Sequence, residues 1–151
     1  MSVGIGYDSH RFADDRRLVL GGVEIDHPRG LTGHSDADVL THAVIDALLG
    51  AAGMGDIGTL FPDDEDRWRD ADSIDLLRTV VGTVAGRIVN IDATLVCEAP
   101  RIGPYRAEME RILAEATSAR VSVKATTNEG MGWIGRNEGI ACLAVAQVEG
   151  E

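Results

Sequence analysis

The sequence predicts a single α+β domain over residues 1–151, with a mixed sheet of four to five strands that helices cover on one face. Segments of alternating apolar residues, typical of strands, are interspersed with segments whose apolar residues recur at helical spacing. No internal repeat, low-complexity tract or linker separates them. A chain of 151 residues with 44% apolar residues suits one domain, whose core buries roughly two-thirds of the unfolded surface.

The first elements are two extended segments. Alternating apolar residues over 3–7 predict a strand that ends in a polar turn at Asp8. A second extended run covers 18–25, and its Gly21-Gly22 pair predicts a bend or a bulge.

A long helix is predicted next. It ends at Ala52, with Gly53 as its stop signal and either Ser35 or Asp36 as its N-cap. The stretch 53–72 is rich in Gly, Asp and Pro and predicts a long loop. Loops of this length in compact domains are usually functional or mobile.

The rest of the chain alternates helices with strands. One helix is capped by Ser73 and ends at Gly86, and another begins at Pro104. Their apolar faces consist of Ile74, Leu77, Val81 and Val84 in the first helix, and of Tyr105, Met109, Ile112, Leu113 and Ala116 in the second. Strands are predicted over 89–97, 121–125 and 139–148.

Composition and charge exclude several classes of protein. With 14 basic and 25 acidic residues the net charge is −11, and no basic run offsets it, so we exclude a protein that binds the nucleic-acid backbone. The apolar stretch 43–55 is interrupted by Asp46 and is shorter than the roughly 20 residues that span a bilayer, so no membrane span is expected. The N-terminus lacks a signal-peptide pattern, and Cys97 and Cys142 lack metal-type spacing, which predicts a cytoplasmic protein.

The low aromatic content argues against a simple monomer. Aromatic residues make up only 4% of the chain while glycine occurs 18 times, so the core must be aliphatic, with tight backbone approaches. A small domain of this kind has little volume for a deep cleft of its own. We therefore consider sites that are shared between subunits.

The histidines and acidic residues of the first half suggest a metal site. Asp8 and His10 are two residues apart on an extended segment, so they lie on the same face and could share a cation, although for this pair alone a capped turn is the more common explanation. His42 would supply a third ligand from the helix, giving a tetrahedral zinc site with one open position. Alternatively, His42 is a buried histidine that is hydrogen-bonded to Asp38 or Asp46, which lie four residues before and after it on the same side of the helix. A carboxylate in this position would also fix the orientation of His42 as a metal ligand.

Three further segments carry chemical groups. His34 is either a surface turn residue or a donor to an anion at the helix N-terminus. The loop 56–65 is either a solvated acidic loop or a donor of polar groups to a polyhydroxy substrate or a hydrated metal. In the segment 124–139, threonine hydroxyls suit phosphate oxygens and Glu129 suits Mg²⁺, but the spacing of a Walker-type nucleotide loop is absent.

Six separated motifs stand in the order and at the approximate spacing of one protein family. They are Gly6-Tyr7-Asp8-Ser9-His10; His34-Ser35-Asp36-Ala37-Asp38 with His42; Asp46-Ala47-Leu48-Leu49-Gly50; Gly55-Asp56-Ile57-Gly58; Phe61-Pro62-Asp63; and Lys124-Ala125-Thr126-Thr127. Together they resemble the 2-C-methyl-D-erythritol 2,4-cyclodiphosphate synthase family, from Val3 to about Val148. Six motifs in order are far more specific than any one of them.

The resemblance implies a homotrimer whose sheets pack toward a central axis, with helices outside and active sites between neighbouring subunits. It implies zinc on Asp8, His10 and His42, and Mg²⁺ or Mn²⁺ on Glu129, bridging the substrate diphosphate. The implied lyase of the non-mevalonate isoprenoid pathway converts 4-diphosphocytidyl-2-C-methyl-D-erythritol 2-phosphate to 2-C-methyl-D-erythritol 2,4-cyclodiphosphate and CMP.

Further residue roles follow from the same resemblance. His34 and Thr127 are implied to stabilise the transition state. The implied methylerythritol-binding residues are Ser35, Asp56, Ile57, Gly58, Phe61, Pro62, Asp63, Asp64 and Glu65. The implied cytidine diphosphate pocket consists of Pro100, Arg101, Ile102, Gly103, Thr126 and Thr127. Substrate contacts are also expected from Asp8, Ser9, His10, His34, Asn128, Glu129, Trp133 and Arg136.

Two questions stay open at this point: whether a ligand binds at the trimer axis, and which reaction the protein catalyses. Arg136 and Glu138 match a pair that lines the axis, where an isoprenoid diphosphate could bind. A zinc hydrolase of phosphoesters would use the same three ligands but activate a water molecule. A non-catalytic trimer would bind isoprenoid diphosphates at Arg136 without releasing CMP.

Overall fold

The computed structural model describes residues 1–150 as seven strands and five α-helices. The strands are β1 (Ser2–Ala13), β2 (Leu18–Leu20), β3 (Val23–Ile25), β4 (Gly30–Leu31), β5 (Arg87–Val96), β6 (Arg120–Thr126) and β7 (Gly139–Glu149). The helices are α1 (Val39–Ala52), α2 (Ile57–Leu60), α3 (Ser73–Val81), α4 (Arg106–Thr117) and α5 (Gly132–Gly135), with short 3-10 turns at Asp66–Trp68 and Gly103–Tyr105.

Five strands form one mixed sheet in the order β4-β1-β7-β5-β6. Only β5 and β6 are parallel, and α4 connects them; the other neighbours in this sheet are antiparallel. β2 and β3 pair separately as a hairpin. The predicted α+β class and mixed sheet are confirmed.

The first strand is longer than predicted. β1 does not end at Asp8 but continues to Ala13, because its backbone keeps pairing with β7 as far as Arg11 and then with β4 at Phe12. Asp8 and His10 therefore lie inside the strand. Its ladder holds their backbone rigidly while their side chains remain on one face.

The N-cap of α1 is Asp38, so the prediction of Ser35 or Asp36 is wrong. The Asp38 carboxylate accepts a hydrogen bond from the Thr41 amide at 3.0 Å. Ala37 has a φ of +57°, which is incompatible with a helix that starts earlier. The end of the helix is confirmed, since Gly53 follows Ala52 in the left-handed conformation.

Three other boundaries differ from the prediction. The pair Gly21-Gly22 is the turn of a hairpin, with both φ angles positive, rather than a bend within one strand. The predicted loop 53–72 contains α2 and a 3-10 turn. α3 is capped by Asp72 and ends at Gly82, so Val84 packs against the core from outside the helix.

The remaining elements agree closely with their predicted positions. A 3-10 turn contains Pro104, so the α-helix itself starts two residues later, at Arg106. Cys97 lies one residue beyond β5 and is buried, as is Cys142 in β7. Both thiols are free and belong to the core.

The core lies between the sheet and the helices on one of its faces. α1 packs directly on β1 and β7. This approach requires glycine, because a Cβ atom on Gly4 or Gly6 would collide with the α1 carbonyls of Ala47 and Ala43. The small residues of β1 therefore set the distance between the strand and the helix.

The opposite face of the sheet is apolar and uncovered in the single chain. Val3, Ile5 and Tyr7 on β1 are 65%, 68% and 53% exposed, and Leu143 and Val145 on β7 are also exposed. Contiguous apolar surfaces of this kind are typical of contacts between proteins. We call these five residues the open sheet face. Among the described residues, no helix combines the length and apolarity needed to cross a membrane.

Candidate metal centre and substrate site

Three predicted ligands converge where β1 passes the first turn of α1. Asp8 Oδ2 lies 2.9 Å from His10 Nε2 and 3.1 Å from His42 Nδ1, and the two ring nitrogens are 3.3 Å apart. Asp8 and His10 meet because residues two apart on a strand share a face. His42 reaches them because the glycines of β1 bring the helix close. The predicted convergence is confirmed.

The donor set fits a tetrahedral metal ion. Metal–ligand bonds of about 2.0–2.1 Å place neighbouring ligands about 3.3 Å apart, close to the spacing of these three atoms. One carboxylate and two imidazoles are also the ligands that zinc accepts in catalytic sites, where a fourth position stays open. Ser35 and His34 line the same cavity as the three ligands.

Each histidine is oriented by a contact on its other ring nitrogen. His10 Nδ1 is 2.9 Å from the carbonyl oxygen of Thr32, which can only accept, so Nδ1 carries the hydrogen and Nε2 faces the site. His42 Nε2 lies 2.8 Å from Ser73 Oγ and 3.1 Å from Ser35 Oγ. Ser73 was predicted only as a helix cap, so its place beside His42 was not expected.

The cluster holds Asp8 ionised. Burial alone would raise the pKa of this carboxyl, but the interactions with His10 and His42 outweigh burial and lower the pKa to about 2. Burial lowers the pKa of His10, but its interactions with Asp8 prevail and raise it. A cation that binds here competes with protons for the ring nitrogens, because metal ligands must be deprotonated.

Asp38 and Asp46 do not bind His42, contrary to one predicted alternative. The Asp38 carboxylate accepts from the amides of Gly21 and Gly22, both at 2.8 Å, so it joins the β2–β3 hairpin to α1. Its burial raises its pKa. Asp46 accepts from the Ile57 amide at 2.8 Å and thereby fastens α2 to α1.

A cavity of about 230 Å³ opens beside the three ligands. From the predicted substrate residues, its lining includes Asp8, His10, His34, Ser35, Ile57, Gly58, Phe61 and Asp63. It also includes Gly33, Trp68 and Leu76, which the sequence analysis missed. Trp68 packs edge-to-face against Phe61, with ring centroids 4.8 Å apart. An aromatic residue in a polar loop was the signal that could have found it.

Other predicted residues lie outside this lining. Ser9 is exposed on the opposite face of β1, since it alternates with the two ligands. The Asp56 side chain caps α2 by accepting from the Thr59 amide at 2.9 Å. Pro62, Asp64 and Glu65 also fall outside the lining.

His34 has one of its two ring nitrogens occupied. Its Nε2 lies 3.1 Å from the carbonyl oxygen of Glu65, so a neutral ring places its only hydrogen on that contact. The ring could donate to a phosphate through Nδ1 only as an imidazolium. Otherwise the Glu65 contact must open first.

A second cavity of about 420 Å³ lies at the ends of β5 and β6. It brings together the six residues of the predicted cytidine diphosphate pocket: Pro100, Arg101, Ile102, Gly103, Thr126 and Thr127. Cys97 and Glu98 also line it, and burial raises the pKa of the Cys97 thiol to about 11. Among residues 1–150, none lines both this cavity and the one beside the metal ligands.

The segment after β6 is exposed and held mainly by one carboxylate. Glu98 Oε1 accepts from the amides of Asn128 and Gly130, both at 3.1 Å. Glu129, between these two amides, is exposed and has a φ of +54°. Further along, Trp133 is partly exposed, and Arg136 forms an ion pair with Glu138 at 2.8 Å.

Comparisons with known proteins agree with this architecture. The 2-C-methyl-D-erythritol 2,4-cyclodiphosphate synthase of Symbiobacterium thermophilum is 59% identical over 156 residues, covering 99% of each chain. The bifunctional IspDF from Campylobacter jejuni matches with a TM-score of 0.92 and 40% identity over 96% of this chain, which spans 41% of that larger protein. A CDP-bound structure of a 2C-methyl-D-erythritol-2,4-cyclodiphosphate synthase matches with a TM-score of 0.87 and 34% identity, over 97% of this chain and 99% of that one.

A family model described as the YgbB family matches residues 1–149, which is nearly the whole chain. The strand and helix that carry the three candidate ligands lie inside the matched range. This chain therefore belongs to the YgbB family.

Proposed function

We propose that this chain is a 2-C-methyl-D-erythritol 2,4-cyclodiphosphate synthase. It converts 4-diphosphocytidyl-2-C-methyl-D-erythritol 2-phosphate to the cyclic diphosphate and CMP. The observation that carries the proposal is the convergence of Asp8, His10 and His42 at the mouth of a cavity. The relative from Symbiobacterium thermophilum, with 59% identity over nearly the full chain, is named as this enzyme.

The reaction is an intramolecular phosphoryl transfer. An oxygen of the 2-phosphate forms a bond to the β-phosphorus, and the bond from that phosphorus to the CMP oxygen breaks. The attacking phosphate is already ionised, so no protein nucleophile or strong base is required. Catalysis then consists of positioning the two phosphates and stabilising the charge that develops between them.

When bound, zinc on Asp8, His10 and His42 and Mg²⁺ or Mn²⁺ on Glu129 supply positive charge at the phosphates. The chain's own residues position the substrate. Ile57, Gly58 and Phe61 line the cavity and hold the methylerythritol part away from water.

The nucleotide part is assigned to the second cavity, where Arg101 offers a guanidinium to the diphosphate. Asn128, Trp133 and Arg136 remain expected substrate contacts from the exposed segment after β6. His34 and Thr127 are assigned hydrogen bonds to the phosphoryl oxygens in the transition state. For His34 this requires the imidazolium or release of the Glu65 carbonyl.

We assign the open sheet face to a homotrimer in which each subunit turns this face toward the axis. Its exposed apolar residues support a protein contact. The two cavities share no lining residue, which supports sites completed by a neighbouring subunit. The two free thiols suit the reducing conditions of a cytoplasm.

The activity is tested by incubating purified protein with the cytidyl substrate, zinc and magnesium. Equal amounts of CMP and cyclic diphosphate, separated by chromatography, are expected. Release of inorganic phosphate would instead identify a phosphoester hydrolase. Binding without CMP release would favour the alternative of a non-catalytic trimer that binds an isoprenoid diphosphate at Arg136.

The assembly is tested separately by sedimentation velocity. The protein is expected to sediment as a trimer, and Ile5→Asp is expected to shift it toward the monomer because the charge enters the open sheet face. A wild-type monomer would contradict the assembly.

A further inference from the structure

A buried chain of hydrogen bonds leads away from the metal centre behind His42. His42 Nε2 lies 2.8 Å from Ser73 Oγ, and the Ser73 hydroxyl in turn makes a short hydrogen bond to the carboxylate of Asp36. Ser73 is completely buried and His42 is 7% exposed. Solvent therefore has little access to the contact between them.

The chemistry of these groups determines which of them donates and which accepts in each hydrogen bond. An ionised carboxylate can only accept, so the single hydroxyl hydrogen of Ser73 is donated to Asp36. Ser73 Oγ then faces His42 Nε2 with a lone pair. Two facing lone pairs in a buried contact would be unfavourable, so Nε2 must carry the ring hydrogen. The other ring nitrogen, Nδ1, is thereby left with its lone pair toward Asp8 and His10.

Asp36 is itself held in place by the backbone. Its carboxylate accepts from the amide of Ser73 at 3.0 Å and from the amide of Asp38 at 3.1 Å. Its own amide donates to the carbonyl of Ala71 at 3.1 Å. These bonds join the loop before α1 to the start of α3, so the carboxylate cannot easily turn away from Ser73.

A second serine contacts the same nitrogen without such an anchor. Ser35 Oγ lies 3.1 Å from His42 Nε2, but its only other contact is a long one, 3.4 Å, from the Ala37 amide. Its hydroxyl group can rotate, so its oxygen can accept from the ring or its hydrogen can be donated to the ring. Ser35 therefore leaves the tautomer of His42 undetermined, whereas Ser73 determines it.

We infer that Ser73 and Asp36 are positioning residues that hold His42 with a free Nδ1, the form in which it can bind a metal. The inference rests on the metal site of the proposed function. Asp8 Oδ2 lies 3.1 Å from His42 Nδ1. Without the hydrogen bonds that join Ser73 to Asp36 and His42, Asp8 would favour the opposite tautomer by accepting a hydrogen from Nδ1. The carboxylate of Asp36 thus acts through Ser73 against the carboxylate of Asp8.

Metal affinity provides the first test. Zinc binding to the full-length protein is measured by competition with a chromogenic chelator. Ser73→Ala is expected to weaken zinc binding about 10- to 100-fold, the usual effect of losing an outer contact of a ligating histidine. The matched control is Thr41→Val, which removes another fully buried hydroxyl, one that donates to Asp38 rather than to His42. This variant is expected to stay within about threefold of the wild type.

Coupling between the two residues provides the second test. Asp36→Asn is expected to weaken zinc binding in the wild type but to have little further effect in the Ser73→Ala background, because Asp36 acts through Ser73. Additive effects would mean that Asp36 only stabilises the surrounding loop. Additivity would contradict the claim that Asp36 acts on His42 through Ser73. The coupling between the two variants can still be measured if either single variant loses some stability.

The tautomer itself provides the third test. ¹⁵N NMR of the zinc-free protein at pH 8.5, where imidazole rings are generally neutral, identifies which nitrogen of His42 carries hydrogen. We expect Nε2–H in the wild type and a shift toward Nδ1–H in Ser73→Ala. Equal zinc affinity and an unchanged tautomer in Ser73→Ala would overturn the inference. Failure of the wild-type protein to bind zinc would overturn the metal site itself, which is a different outcome.

Discussion

The two halves of the candidate site are built in different ways. The metal side, formed by Asp8, His10, His42 and the adjoining cavity, lies on a strand and a helix in the core. The nucleotide side, formed by the second cavity and the segment after β6, has exposed Thr127 and Glu129. Metal ligands must be held to a fraction of an ångström and therefore need rigid elements within one chain. In the proposed trimer, a neighbouring subunit would complete the contacts of this exposed segment.

Removing a ligand should have the largest effect and should be confined to the metal side. His42→Ala is expected to lose zinc and to lower kcat/KM at least about 10³-fold, since a bound metal contributes several kcal/mol to the transition state. The trimer should persist, because the open sheet face is unchanged. Zinc content, CMP release and sedimentation velocity check these points. Full activity in a zinc-free preparation would contradict the assignment.

Mixing two inactive variants should show whether the halves belong to different subunits. His42→Ala damages the metal side and Glu129→Gln damages the nucleotide side. After the two proteins are unfolded and refolded together in equal amounts, about a quarter of shared sites should pair two intact halves. CMP release should recover to that level. Each variant refolded alone is the control, and no recovery would place both halves in one subunit.

The close contact between β1 and α1, which brings His42 to Asp8 and His10, should make the stability of the fold sensitive to one added methyl group on β1. Gly6→Ala would collide with the α1 backbone at Ala43, so we expect a loss of about 2–3 kcal/mol in the free energy of unfolding. Urea denaturation measures this loss, with Gly103→Ala as the control because a Cβ there meets open space. Equal stability of the two variants would show that α1 does not lie as close to β1 as the glycines indicate.

The smallest effect should come from the nucleotide side. Glu98→Ala removes the acceptor for the amides of Asn128 and Gly130, which hold the turn that carries Glu129. We expect the half-saturating Mg²⁺ concentration to rise about tenfold, equivalent to about 1.4 kcal/mol, while zinc content stays constant. Glu98→Gln keeps a carbonyl acceptor and should retain most of the wild-type behaviour. A change in zinc content would show that the two halves are coupled within one chain.

Local patterns predicted the elements well but not their ends. The end of α1 at Ala52 is confirmed because Gly53 can adopt the left-handed conformation at low cost. The predicted start of α1 was wrong because Ser35, Asp36 and Asp38 are all suitable N-caps by residue type. Ser35 and Asp36 are instead engaged with His42 and Ser73, which lie seven or more residues away in sequence.

By itself, the sequence determined the class of the fold, because strand and helix periodicity are local. It also suggested the three candidate ligands: alternation placed Asp8 and His10 on one face of a strand, and the family resemblance implied His42 as the third. Only the tertiary structure decided which polar groups contact them. Asp38 caps the helix that contains His42 and Asp46, yet Asp38 binds the β2–β3 hairpin and Asp46 binds α2. Ser73 reaches His42 because α3 packs against α1. Contacts between elements depend on how helices and strands pack, and this packing is not encoded in any short stretch of sequence.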